Sequence, residues 1–144
     1  MIQHAYLDQF TSTQNITYGV LSSGILANNR SLRDLSNYTV IIVADDATND
    51  ALIRNTAETI LRRGCKNVAF TGVAADECHS IFEDADRDIN GFNDITGYDD
   101  FAVMWNFDDI EALPDEVSNC WNEVLILCEN MALLRDCQSA MKPY

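Results

Sequence analysis

The sequence predicts an α/β fold: one three-layer sandwich, mostly parallel sheet with helices on both faces, Rossmann-like in arrangement. Two apolar runs, 38–44 and 67–73, have the β-branched content typical of strands that are buried on both faces. Between them, a helix-period apolar stripe runs from Ile53 to Leu61. Strand, helix and strand in this order favour a right-handed crossover between parallel neighbours. With 144 residues the chain has room for one complete core, so we expect 1–144 to be a single domain.

The elements before and around this unit follow from local signals. Residues 1–37 give the weakest pattern, and we expect only a turn and a short helix over 28–37, packed on the domain. The central helix begins near Asn49, a good N-cap, and ends at Arg62-Arg63-Gly64, where two cations and a glycine suit a helix C-terminus.

The second half is predicted to continue the alternation. A short helix over 74–82 is followed by a turn-rich stretch to Asp100 and a third strand at 101–105. Pro114 fits the first turn of a helix whose apolar positions continue for more than twenty residues. The run Val124–Cys128 also fits a strand, and periodicity does not decide between the two.

Charge is the strongest global property of the chain. It has 23 acidic and 9 basic residues, a formal net charge of -14. A field of this sign disfavours nucleic acid and anionic membranes, and it favours cations and basic protein surfaces. The N-terminus lacks a secretion signal, and the five cysteines are scattered without a Cys-x-x-Cys pair. We therefore expect a cytoplasmic protein with reduced thiols and no cofactor.

The acidic residues are concentrated in one part of the sequence. Fourteen of the 23 lie between Asp76 and Glu116, where Arg87 is the only arginine or lysine and aromatic residues are interleaved. Such a segment attracts a basic partner by its field and anchors it by aromatic contact. The sequence thus predicts an acidic binding protein that neutralises a basic protein partner, in the manner of an immunity protein that inhibits a toxic nuclease. The predicted partner-binding residues are Asp84, Asp86, Asp88, Asp94, Tyr98, Asp99, Asp100, Asp108 and Asp109.

The alternative is an enzyme that uses carboxylates at the carboxyl edge of the sheet. Asp45 and Asp46 directly follow the first predicted strand, where open α/β sheets place ligands. With Asp108 they could hold a metal ion or serve a nucleotide. This alternative requires the three carboxylates to converge on a concave surface.

A second candidate metal site begins at Asp86. The spacing Asp86-x-Asp88-x-Asn90-Gly91 matches the opening of an EF-hand loop. Position 12 is Gly97 where a bidentate glutamate is needed. A solvated acidic loop is therefore the favoured interpretation.

No catalytic residue is predicted. The chain contains none of the phosphate-binding or nucleophile-elbow motifs. His79 follows Cys78 directly, and neighbours on a helix point about 100° apart, so they do not form a dyad.

The segment from about 60 to 120 resembles a small uncharacterised bacterial α/β domain family. The matching features are Gly64-Cys65, a strand ending at Gly72, Asp76-Glu77-Cys78-His79, and Val103-Met-Trp105 followed by Asp108-Asp109. Two positions depart from the family pattern, Thr71 where the family has tryptophan and Asn106 where it has histidine. The resemblance carries no function.

Overall fold

A computed structural model describes residues 15–22, 24–46, 49–90, 101–120 and 122–142. Five strands form one sheet: β1 (Ile16–Val20), β2 (Tyr38–Val43), β3 (Asn67–Thr71), β4 (Val103–Asn106) and β5 (Glu123–Cys128). The helices are α1 (Ile25–Asn28), α2 (Asp50–Arg62), α3 (Ala75–Asn90), α4 (Leu113–Asn119) and α5 (Met131–Met141), with 3-10 turns at Arg30–Leu32 and Ile110–Ala112.

The sheet is parallel throughout, with strand order β1-β5-β2-β3-β4. The predicted unit from Tyr38 to Val73 is confirmed: β2 and β3 are parallel neighbours in register from Thr39 with Asn67 to Val43 with Thr71. Asn49 caps α2, because its side chain accepts from the Leu52 amide at 3.1 Å.

Apolar residues on the two faces of the sheet form separate cores. Val40, Ile42 and Phe70 pack with α2 and α3 on one face. Ile41, Val43 and Ile126 pack with α4 and α5 on the other. Alternate residues of each strand supply the two cores, as expected for strands covered on both faces. The predicted three-layer α/β architecture is therefore confirmed.

The prediction of one long helix from Pro114 is wrong. Helix α4 ends at Asn119, and the run from Val124 to Cys128 is β5, which lies between β1 and β2. All five residues of that run are fully buried, since both faces of a central strand are covered. The alternative that treated this run as a strand is the correct one.

Two further boundaries differ from the predictions. Helix α3 has 16 residues and runs to Asn90, because its buried positions continue through Ala85 and Asp86. Residues Ile16–Val20, whose local pattern favours neither helix nor strand, form the edge strand β1 and pair with β5. None of the helices in the described part of the chain combines the length and apolarity needed to span a bilayer.

Candidate functional site

Nine carboxylates gather at the carboxyl edge of the sheet, where the chain leaves β2, β3, β4 and β5. Each lies in the segment after a strand or in the first turn of the helix that follows. Eight of the nine are exposed, and Glu129 is half-buried. We call this group the acidic edge: Asp45, Asp46, Asp50, Asp76, Glu77, Asp108, Asp109, Glu111 and Glu129.

The acidic edge contains no arginine or lysine. The segments that carry its residues, 44–46, 49–52, 72–78, 107–112 and 129–130, have neither. At the opposite edge, the connections into β2 and β3 have the reverse balance, since they carry Arg30, Arg33, Arg62, Arg63 and Lys66 against Asp34.

At the acidic edge, the Glu129 carboxylate connects the segment after β5 to the segment after β2. Connections leave these neighbouring strands toward opposite faces, which is the geometry at which open α/β sheets bind ligands. Here Glu129 Oε1 accepts from the backbone amides of Asp45 at 2.9 Å and Asp46 at 3.2 Å. Two amides of the kind that hold a phosphate in nucleotide-binding folds are therefore already bonded to a side chain of the protein.

The predicted convergence of Asp45, Asp46 and Asp108 is not favoured by the topology. Asp45 and Asp46 follow β2 and Asp108 follows β4, and β3 lies between these strands. Two strand spacings separate their ends by about 10 Å. In addition, Asp45 Oδ1 accepts from the Val73 amide at 3.0 Å and so holds the adjoining loop. Within the described residues, no group of three His, Cys, Asp or Glu side chains is arranged to hold a metal ion.

Two apolar side chains are exposed within the acidic edge. Val73, in the loop after β3, is 86% exposed, and Met131, the first residue of α5, is 51% exposed. They lie on either side of the Asp45–Asp46 loop, because β2 is between β3 and β5. Exposed apolar residues inside a charged rim are the arrangement found in protein-protein interfaces.

The backbone of the loop that carries Val73 is fixed. Gly72 has φ +102°, and a Cβ at this position would lie 2.2 Å from the Ala44 carbonyl oxygen. The Ala74 amide donates to the same oxygen at 3.0 Å. Only glycine allows β2 and β3 to approach so closely at their ends, and this approach positions Val73 beside Asp45.

A chain of polar contacts connects α3 to the end of β4. Asn106 Nδ2 donates to Asp76 Oδ1 at 2.6 Å, and Asn106 Oδ1 lies 2.7 Å from His79 Nδ1. The His79 ring stacks on Phe70 with centroids 4.9 Å apart, and its Nε2 is 3.6 Å from Glu83 Oε2. These contacts fix Asp76 and Asn106 beside the acidic edge. Cys78, whose side chain is buried in the core, takes no part in these polar contacts.

The structure divides the predicted partner-binding residues among different regions. Asp108 and Asp109 are exposed on the acidic edge. Asp84 and Asp88 are exposed on α3 and form ion pairs with Arg87 and Arg54 respectively. Asp94, Tyr98, Asp99 and Asp100 lie outside the described residues.

The inclusion of Asp86 among the partner-binding residues is wrong. This residue is only 4% exposed. Its carboxylate accepts from the Ala102 amide at 2.9 Å and from Asn90 Nδ2 at 2.7 Å. Because a buried carboxylate with two donors fastens the end of α3 to the start of β4, Asp86 has a structural role.

The EF-hand interpretation is also wrong for the residues that suggested it. Asp86, Asp88 and Asn90 lie on the last turns of α3. An EF-hand loop curls these positions around a cation, whereas a helix directs positions i and i+2 to different sides. Here Asp86 is buried and Asp88 is bonded to Arg54.

None of the five cysteines, all within the described residues, is in a disulfide, and their environments differ. Burial raises the pKa of Cys65 to about 11, and burial with the neighbouring charge of Glu77 raises that of Cys78 to about 11. Both thiols are therefore protonated and unreactive at neutral pH. Cys128 and Cys137 form a close pair, treated below.

Comparisons of the chain with family models, curated proteins and solved structures returned no match. The resemblance built on Gly64-Cys65 and the residues after it therefore stays a prediction. Any function must be inferred from the site itself.

Several residues of the acidic edge were not among those predicted from the sequence to bind a partner. Asp50, Glu111 and Glu129 are distant from one another in sequence, and Val73 and Met131 belong to ordinary apolar patterns. The signal that identifies the acids is positional: each follows a strand of one parallel sheet. That signal requires the four strands β2 to β5 to be assigned, including β5.

Proposed function

We propose that this chain is a small acidic binding protein whose acidic edge docks on a basic surface of a partner protein. The observation that supports this most strongly is the collection of nine carboxylates, without an arginine or lysine, around exposed Val73 and Met131. The charged rim supplies attraction and orientation, and the apolar residues supply the contact that excludes water.

A protein with a cationic cleft is the partner class that this surface fits. Nucleases are one such class, because their clefts bind phosphate by positive charge. Carboxylates arrayed along an edge imitate that charge, and association would be fast and sensitive to salt. Inhibition of a toxic nuclease, as by an immunity protein, is the specific form of this proposal.

The polarity of the chain adds a directional argument. Because five basic residues lie in the connections into β2 and β3 at the opposite edge, a cationic partner is repelled from those connections and attracted at the acidic edge. The field thus favours one docking orientation.

The test compares two triple variants that change charge equally. D50N/E77Q/D108N neutralises three side chains of the acidic edge that make none of the hydrogen bonds described above. D34N/E123Q/D136N is the matched control on other parts of the chain. Each variant and the native chain are immobilised and used to capture proteins from lysate of the source cell, at low and at high salt.

We expect the native chain and the control to retain the same basic protein at low salt, with the acidic-edge variant retaining roughly tenfold less. Val73→Ser should weaken retention without changing its dependence on salt. Asp50 and Glu77 lie in first helical turns, so each neutralisation also costs about 0.3–1 kcal/mol of stability. Urea unfolding of all variants separates this loss from loss of binding. Equal retention by the two triple variants, or retention of no basic protein, contradicts the proposal.

A further inference from the structure

Two buried thiols meet where β5 packs on α5. Cys128 is the last residue of β5, and Cys137 lies in the second half of α5. Their sulfur atoms are 3.7 Å apart, with the Cys128 thiol donating to Cys137. Both side chains are fully buried, and both cysteines are free. Each sulfur is therefore in contact with the one group in its surroundings that can form a disulfide with it.

A surface cavity lies beside this pair. Tyr18, from β1, belongs to the same apolar cluster as Cys128 and Cys137. Burial raises the pKa of Tyr18. Tyr18 also lines a cavity of about 620 Å³ together with Arg135, Gln138, Ser139, Met141 and Lys142. Neither cysteine lines this cavity, so an oxidant that enters it reaches the pair only when α5 moves.

We propose that Cys128 and Cys137 are a modification site, at which a peroxide oxidises the two thiols to a disulfide that joins β5 to α5. The sulfur atoms must close from 3.7 Å to about 2.05 Å, which a rotation of the side chains with a small movement of α5 provides. This inference is independent of the proposed binding function.

The reaction proceeds in two balanced steps. The Cys137 thiolate attacks one peroxide oxygen, an S–O bond forms, the O–O bond breaks, and the leaving oxygen takes a proton. Cys128 then attacks the sulfenic sulfur: the S–S bond forms, the S–O bond breaks, and hydroxide leaves as water with the Cys128 proton. Two thiols and one peroxide give one disulfide, one water and one alcohol or second water.

The pair is asymmetric in the way this order requires. The hydrogen bond from Cys128 lowers the pKa of Cys137, and the same bond, with burial, raises that of Cys128. Cys137 therefore supplies the thiolate that attacks first.

Helix α5 also buries few of its residues. Leu134 and Cys137 are its only buried residues, so local opening of this helix is cheaper than opening of the sheet. Opening of α5 exposes Cys137 without separating β5 from β1 and β2.

The experiment treats the reduced, folded full-length chain with one equivalent of hydrogen peroxide, then alkylates the remaining thiols with iodoacetamide in denaturant. Arg135 lies between the two cysteines, so trypsin places them in different peptides. We expect these peptides to be joined without reductant and separate with it, and the alkylated thiols to fall from five to three.

Cys120 supplies the control for exposure. It is the one cysteine that is not fully enclosed, and its sulfur donates to the Glu116 carbonyl at 3.2 Å. Cys120→Ser should leave the cross-link unchanged, whereas Cys137→Ser should abolish it. The proposal is overturned if Cys120 is oxidised while Cys128 and Cys137 remain thiols. It is equally overturned if the linkage forms only in urea, because native contact then plays no part.

Discussion

The carboxyl edge of the sheet and the connections into β2 and β3 at its amino edge carry opposite charge. At the carboxyl edge nine carboxylates have no basic neighbour in the segments that carry them, whereas the connections into β2 and β3 at the amino edge carry five basic residues and one acid. Acids at the carboxyl edge lie next to helix N-termini, where the helix dipole stabilises them. The carboxyl edge has more carboxylates than its helix N-termini need, and the additional negative charge makes this edge a candidate interface.

The edges also differ in how their loops are held. At the carboxyl edge the loops after β2, β3 and β5 are tied together by Glu129, Asp45 and the close approach at Gly72. At the amino edge Arg63 donates to the carbonyl oxygens of Leu26 at 2.7 Å and Leu32 at 3.0 Å. The ties named at the carboxyl edge are anionic and the Arg63 tie is cationic, while Asp86 adds an anionic tie where α3 meets β4.

The largest expected difference between the edges concerns their left-handed glycines. At Gly72 the added Cβ of Gly72→Ala meets the Ala44 carbonyl oxygen at 2.2 Å, and at Gly64 the nearest atom is Ser36 Cβ at 3.4 Å. We expect Gly72→Ala to cost about 4 kcal/mol or more, and Gly64→Ala only the left-handed strain of about 1–2 kcal/mol. Urea unfolding of both variants measures this. Equal losses would show that the close approach of β2 and β3 is not a constraint.

The second comparison uses two carboxylates that each accept two hydrogen bonds. Asp86, near the amino edge, is 4% exposed, and Glu129, at the carboxyl edge, is half-buried. We expect Asp86→Ala to cost about 2–3 kcal/mol, because it leaves buried donors unpaired, and Glu129→Ala about 1 kcal/mol, because its donors reach water. Loss of one negative charge from the acidic edge further reduces the Glu129 cost. Chemical denaturation gives both values, and a larger loss for Glu129→Ala would reverse the assignment of Asp86 as structural.

The smallest expected difference is in the buried thiols, where the edges should behave alike. Cys65 precedes β3 at the amino edge and Cys78 lies in the first turn of α3 near the carboxyl edge, and both pKa values are raised to about 11. A thiol in the unfolded chain has a pKa of about 8.5, so the unfolded state releases protons first as pH rises. Stability is therefore complete below about pH 8.5 and falls as pH rises toward 11.

The variants Cys65→Ala and Cys78→Ala test this by chemical denaturation at several pH values. Each variant should lose about 1 kcal/mol less stability at alkaline pH than the native chain. A difference of one pKa unit between the folded and unfolded states corresponds to about 1.4 kcal/mol, and solvent screening reduces this value. If either variant loses as much stability at alkaline pH as the native chain does, burial of that thiol is not the cause of the loss.

The sequence by itself determined the fold class and the central unit. Residues 38–43 and 67–71 are continuous apolar runs around a capped helix, and such local signals agree because each element satisfies its own hydrogen bonds and buries its own stripe. It also determined the net charge of -14, which is a property of composition. The placement of Asp45 and Asp46 after β2 followed directly from the strand assignment.

Tertiary structure alone decided which charges act together. Asp86 and Asp108 are alike in the sequence, but packing of α3 on β4 buries the first and leaves the second exposed. Likewise Val124–Cys128 is a strand because β1 and β2 enclose it, which local periodicity does not encode. Glu129 meets Asp45 across 84 residues only when β5 inserts beside β2. Long-range pairing of parallel strands thus turned a scattered set of acids into one edge.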